Sequence, residues 1–305
     1  MATNRKIKKV IQSKPTIEGA GVHLKRVFGF REVSAFDPFL LLDDFRSKNP
    51  HEYIKGFPWH PHRGIETITY ILEGSVEHGD SMGNRGTIGP GDVQWMTAGS
   101  GIIHQEMPQG NEAGHMGGFQ LWANLPASHK MMDPRYRDVK SRQIPEILTS
   151  NGVTIRIICG EIKGVKGPVQ DIITDPEYFD VAIPAETEFI HPTKAGYTVL
   201  AYIIEGKALF CDQKDPFSYE VEGTNYFDIH RDPFVTHENL VLFEDGEQII
   251  VSTEDEPVRF LLISGKPIGE PVAWYGPIVM NTQQELQVAF DEYSNGTFIK
   301  SNKTR

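Results

Sequence analysis

The stretch His60-Pro61-His62, followed by Ile68-Thr69-Tyr70-Ile71-Leu72-Glu73-Gly74, returns later in the chain as His191-Pro192-Thr193, followed by Leu200-Ala201-Tyr202-Ile203-Ile204-Glu205-Gly206. The two copies keep their spacing to within one residue. Each delivers an apolar run into a Glu-Gly turn at the same distance from a His-Pro pair, the mark of one structural unit used twice. Alternation in Glu66-Thr67-Ile68-Thr69-Tyr70-Ile71-Leu72 and in Val93-Gln94-Trp95-Met96 reads as strand, and Gly74, Gly79, Gly83, Gly86, Gly89 and Gly91 mark the turns between. A second β-rich segment runs from Thr154-Ile155-Arg156-Ile157-Ile158 to Leu261-Leu262-Ile263, with the polar stretch Asp133 to Pro145 as linker. The fold class is therefore all-β in two domains, closed by a short helix over Thr282 to Tyr293, where Leu286, Ala289, Phe290 and Tyr293 fall at helical spacing to pack on a barrel wall.

The chain has 305 residues and is 39% hydrophobic, enough for two domains with cores of their own. Lys+Arg of 30 against Asp+Glu of 41 gives a formal charge of −11, which repels phosphate backbones and anionic lipid. Direct nucleic-acid binding is thereby disfavoured. The basic cluster Arg5, Lys6, Lys8 and Lys9 reads as a solvated edge-strand arm before it reads as a targeting patch. Two cysteines, Cys159 and Cys211, make no disulfide framework and fit a reducing compartment. No apolar segment follows the charged N-terminus, and no run of about 18 apolar residues occurs, so a cytoplasmic protein, or a nuclear one in a eukaryote, is expected without membrane insertion.

His60 and His62 alternate around Pro61, so in an extended segment both imidazoles leave the same face. Alone the triplet is weak, since chance gives about 0.4 such triplets among 11 histidines in 305 residues. A second period-two pair, His104 and Glu106, follows two glycine-rich turns, and two such pairs are far more specific. Three neutral imidazoles and a carboxylate suit one divalent ion such as Fe²⁺, Mn²⁺, Ni²⁺, Cu²⁺ or Zn²⁺, with coordination positions left open.

The run Phe57-Pro-Trp-His-Pro-His-Arg-Gly-Ile-Glu-Thr, then Gly91-Asp-Val-Gln-Trp-Met-Thr-Ala-Gly and Gly101-Ile-Ile-His-Gln-Glu-Met-Pro, resembles the pirin family of the cupin superfamily. Asp37-Pro-Phe-Leu-Leu-Leu-Asp-Asp-Phe, Gln120-Leu-Trp-Ala-Asn-Leu-Pro and Gly265-Lys-Pro-Ile-Gly-Glu-Pro-Val with Gly276-Pro-Ile-Val-Met-Asn-Thr extend the likeness over nearly the whole chain, most weakly over 160 to 260. The resemblance implies two tandem cupin (jelly-roll) β-barrels: a metal-binding barrel over 1–135, a linker over 136–148, a metal-free barrel over 149–280, and a helix and tail over 281–305. It implies metal ligands at His60, His62, His104 and Glu106. Thr193 stands where His62 would repeat, which agrees with a metal-free second barrel. The wider cupin pattern draws its glutamate from the first motif, where Glu66 sits; the pairing with His104 favours Glu106 and leaves Glu66 behind the ligands or at the surface.

The same resemblance implies a quercetin 2,3-dioxygenase-type oxidoreductase, opening a flavonol with O₂ and releasing carbon monoxide, with Glu106 as general base. Phe57, Trp59, Trp95, Met96 and Trp122 are candidate lining for a flat aromatic substrate. The alternative it carries is an iron-dependent, redox-responsive binding protein, a transcriptional co-regulator with a protein partner. Isomerase-type metal chemistry ranks last, since only Arg63 and Arg85 lie near the motifs as anion-binding groups. The two barrels satisfying one another favour a monomer.

Overall fold

The computed structural model describes residues 2–223 and 230–300, and the tail beyond 300 lies outside them. The chain is mostly strand and divides into two compact units, Lys14–Ser141 with Ile268–Arg305 and Met1–Ser13 with Arg142–Pro267.

In the first unit a seven-stranded antiparallel sheet runs, in spatial order, Arg135–Val139, Val93–Thr97, Ile65–Glu73, Gly117–Asn124, Phe39–Asp44, Val22–Phe28 and Lys14–Glu18. A four-stranded sheet runs Phe57–His62, Ile102–Gln109, Ser75–Asp80 and Arg85–Ile88. Thr69 of the larger sheet reaches Glu106 of the smaller, so the two sheets face each other as the halves of a jelly roll.

The second unit repeats the order strand for strand. Thr198–Phe210 lies between Asn239–Phe243 and Val258–Gly265 as Ile65–Glu73 lies between Val93–Thr97 and Gly117–Asn124, and Glu177–Ile183, Thr154–Cys159 and Glu146–Leu148 continue outward. Both copies of the Glu-Gly turn place glycine at positive φ, +71° at Gly74 and +75° at Gly206. A Cβ there would lie 2.6 Å from the Gln109 carbonyl oxygen and 1.9 Å from that of Pro257, so only glycine fits either turn.

The place that Arg135–Val139 takes beside Val93–Thr97 is filled in the second unit by the N-terminal strand Ile7–Gln12, antiparallel to Asn239–Phe243. The unit boundaries thus differ from those expected at 1–135 and 149–280, because Ile7 and Val10 are buried in the second unit's core. The basic cluster is a solvated arm only in part: Lys6 and Lys8 are exposed, but Arg5 is not. Arg5 is 1% exposed and donates to Thr193 Oγ1 (2.7 Å) and to the carbonyls of Glu244 and Lys194, while Lys9 meets Glu220 and Glu222. A guanidinium is tolerated at such depth because its donors are spent on oxygens.

After Pro267 the chain belongs to the first unit. Ala273–Tyr275 and Ile278–Met280 form a hairpin, and the helix expected over Thr282–Tyr293 forms as Gln283–Ser294, opened by a Thr282/Glu285 capping box. Leu286 and Ala289 of the expected stripe pack with Ile278, Met280 and Phe298, Phe290 is partly buried against them, and Tyr293 is exposed. Both cysteines are free and buried, and burial pushes the Cys211 thiol up to about 12.

The two interiors differ. In the second unit Phe179, Phe189, Phe210, Phe243, Phe260 and Leu262 join one continuous apolar core, each fully buried phenylalanine contributing about 1.5–3 kcal/mol. Apolar side chains of the first unit form separate clusters around Ile71, Ile65 and Ile278, and a cavity of about 720 Å³ opens within it.

Candidate metal centre

His60 and His62 lie on Phe57–His62, and the antiparallel register sets His104 opposite His60 and Ile102 opposite His62. Period-two geometry then puts the three imidazoles on one face. Their ring centroids are 4.4 to 4.9 Å apart, and the donor atoms lie within 4.8 Å of one another. The Pro58 carbonyl takes a hydrogen bond from His60 Nδ1 (2.8 Å) and the Pro277 carbonyl one from His62 Nδ1 (3.1 Å). A carbonyl only accepts, so both protons sit on Nδ1 and both Nε2 atoms carry lone pairs.

Those two Nε2 atoms are 3.0 Å apart, and His104 Nε2 is buried without a hydrogen-bond partner among the described residues. Lone pairs aimed at one another repel unless a cation lies between them. Nitrogens bound at about 2.1 Å and at a right angle also stand about 3 Å apart. The donors present therefore fit a divalent metal, and the backbone carbonyls supply the outer contacts that fix the ring orientation. Burial lowers the pKa of His60 below 6.5 and those of His62 and His104 well below it. All three are neutral and ready to ligate at neutral pH.

Glu106 lies outside the histidine group. Its carboxylate is buried beside Thr69 Oγ1 at 3.1 Å, and burial raises its pKa against the Thr69 hydrogen bond and the nearby His78. Glu66 is neither ligand nor surface. It is 3% exposed, lies on the opposite face of its strand from Thr69, and takes a hydrogen bond from Thr97 Oγ1 at 2.6 Å.

Of the residues proposed to line a pocket, Phe57 and Trp122 do so, the Trp122 ring standing edge-on to His62 at 5.1 Å. Trp59 is half exposed and Trp95 and Met96 are buried, all three away from the cavity wall. Trp95 and Met96 are adjacent, so they face opposite ways. Met96 packs with Leu40, Ile65, Ile102 and Val279. Sequence reasoning missed Thr69, Gln120, Arg26, Asp43, Glu18 and the hairpin residues Trp274 and Pro277, which also line the cavity. Period-two counting along Ile65–Glu73 offered a signal for Thr69; nothing local could bring Pro277 to His62.

In the second unit His191 is buried between Phe179 and Phe189 with Glu177 Oε2 at 3.4 Å. Thr193, the counterpart of His62, is occupied by Arg5.

Two jelly-roll barrels of like topology, one with a three-histidine group able to hold a metal, define a two-domain cupin protein. The chain matches the Pirin family model over residues 21–123 and the Pirin C-terminal cupin domain over 178–299, and it belongs to the pirin family. It is 41% identical to a pirin-like protein of Caulobacter vibrioides, covering 96% of this chain and 99% of that one, and 38% identical to pirin of Homo sapiens, covering 97% and 94%. The crystal structure of a quercetin 2,3-dioxygenase from Acinetobacter baumannii superimposes with a TM-score of 0.84 at 30% identity over 97% of this chain and 98% of that one. Among the described residues no helix is long and apolar enough to cross a membrane.

Proposed function

We propose that this protein is a metal-dependent dioxygenase that opens a quercetin-like flavonol with O₂, its ion held by His60, His62 and His104 with Glu106 as fourth donor and proton acceptor. One observation carries the reading: three imidazole lone pairs converge, with His60 and His62 at the wall of a cavity of about 720 Å³, a size that suits a small flat aromatic molecule. Likeness to a structure named quercetin 2,3-dioxygenase supports it. A bound divalent ion, Fe²⁺ in this reading, supplies Lewis acidity and exchangeable coordination positions.

The chain's own residues do the rest. Glu106, whose pKa burial raises, is a stronger base than an exposed carboxylate and takes the proton of the flavonol 3-hydroxyl. Trp122 and Trp274, with centroids 5.8 Å apart, offer flat faces to the substrate rings, and Leu24, Leu41 and Phe45 exclude water beside them. For isomerase-type chemistry on an anionic substrate the two arginines near the motifs are poorly placed: Arg85 is exposed and does not line the cavity. Arg63 is buried, donating to the carbonyls of Ser100 and Phe298, paired with Glu292 and stacked on Phe298.

The test is to load the protein with Fe²⁺, Mn²⁺ or Ni²⁺ and add quercetin in air and under argon, following flavonol absorbance and carbon monoxide. Loss of flavonol with release of carbon monoxide in air alone is expected. Unchanged absorbance with each metal defeats the reading.

A further inference from the structure

Across the cavity wall one residue from each of four neighbouring strands falls in a single row: Thr69 opposite Gln120, Gln120 opposite Asp43, and Asp43 opposite Arg26. All four line the cavity, and Glu18 joins them at its far end. The row starts at Glu106, which Thr69 touches, and crosses three strand spacings, about 14 Å. Apolar Leu41, Trp122 and Leu24 flank it along the same wall. A polar line through an apolar wall, with one end at the candidate metal centre and the other at a charged cluster, reads as a track for an elongated, flat ligand with polar groups at both ends.

The charged end is a built structure. Arg26 Nε and Nη2 donate to Asp43 Oδ1 (2.9 Å) and Oδ2 (2.8 Å), and Nη1 donates to Glu18 Oε1 (2.8 Å). Two carboxylates around one guanidinium leave the cluster net negative, with more free lone pairs than free N–H groups. It therefore repels a carboxylate or phosphate and accepts from hydroxyls.

We infer that Glu18, Asp43 and Arg26 are the specificity end of the cavity and that its ligand is a neutral polyphenol, whose outer-ring hydroxyls donate to Asp43 and Glu18 while its hydroxy-ketone edge faces the histidines. The orientation rests on the dioxygenase reading; the preference for outer hydroxyls is read independently, by binding. Arg26 positions the two carboxylates and is itself saturated by them along one edge.

Quercetin and 3-hydroxyflavone share the 3-hydroxy-4-keto edge, but only quercetin carries outer-ring hydroxyls. Each is titrated into metal-loaded protein under argon and into metal-free protein, with binding read from tryptophan quenching, since Trp122 and Trp274 line the cavity. Wild-type protein is expected to bind quercetin at least about tenfold more tightly, a hydrogen bond to a charged group being worth that ratio. Glu18 lies on the outermost strand with its side chain 42% exposed, so Glu18→Gln leaves the fold intact, checked by its melting temperature. The variant is expected to lose about tenfold for quercetin and nothing for 3-hydroxyflavone. Equal wild-type affinity for the two, or a Glu18→Gln effect that is absent or the same on both, overturns the inference even if quercetin is turned over. The selective loss without any turnover upholds this end of the cavity and defeats the dioxygenase reading alone.

Discussion

Thr69 has one hydroxyl hydrogen and two oxygens in reach, Glu106 Oε1 at 3.1 Å and Gln120 Oε1 at 2.8 Å. One hydrogen serves one of them well, and an ionised carboxylate is the stronger acceptor. With Glu106 ionised, the Gln120 amide turns its Nε2 donor to Thr69, and the three side chains form one directed chain. Thr69 thus lowers the Glu106 pKa that burial raises. Thr69→Val removes the donor, so the Glu106 pKa climbs further, and a base works only when deprotonated. The acid limb of the kcat/KM profile on quercetin is expected to move to higher pH, with a rate at neutral pH roughly threefold to tenfold lower. An unmoved acid limb would show that Glu106 is not the base.

Among the strands, Ile7–Gln12 shows most clearly what the chain conceals. It pairs with a segment more than two hundred residues away, from Asn239 to Phe243, and buries Val10 at 5% exposure against that unit's core. Val10→Ala removes two methyl groups from packed surroundings and is expected to destabilise the second unit by about 2 kcal/mol, with metal content unchanged because the histidines belong to the other unit. Urea midpoints and metal analysis read the two effects. Loss of metal with Val10→Ala would contradict the division. The repeat was legible because positive φ at Gly74 and Gly206 demands glycine in both copies, and the ligand pairs were legible because strands alternate. The swap of Ile7–Gln12 and the return of Pro277 were not, since pairing between distant segments leaves no local pattern. Trp95 and Met96 miss the cavity for different reasons: Trp95 lies on the other face of its strand, and Met96, on the same face as Thr67, is packed away among Leu40, Ile65, Ile102 and Val279.

Two units with one strand order have taken opposite interiors, a filled apolar core in the second and a hollow with three clustered imidazoles, two of them buried, in the first. That choice makes the metal-free first unit sensitive to acid. The folded pKa values of His60, His62 and His104 lie below the ordinary 6.5, so as pH falls through 6.5 the unfolded chain binds protons that the folded chain refuses. Stability is then present above 6.5 and falls as pH falls. Asp43, which burial pushes up to about 6, and Glu66 and Glu106, also raised, act with the opposite sign, since their folded forms take up protons first. The histidine contribution is isolated by comparing wild type with His104→Gln, which removes one refused proton and keeps the three carboxylates. Trp59, Trp95, Trp122 and Trp274, the chain's 4 tryptophans, all lie in the first unit, so their fluorescence reports its unfolding alone. Between about pH 7.5 and about pH 5.5, the wild-type urea midpoint is expected to fall more steeply than that of His104→Gln in metal-free protein. Saturating metal raises the wild-type midpoint, and that gain shrinks on acidification as protons compete for the same nitrogens. Parallel curves for the two metal-free proteins would mean that His104 is as easily protonated folded as unfolded, and the case for a neutral, preformed ligand set would fall with it.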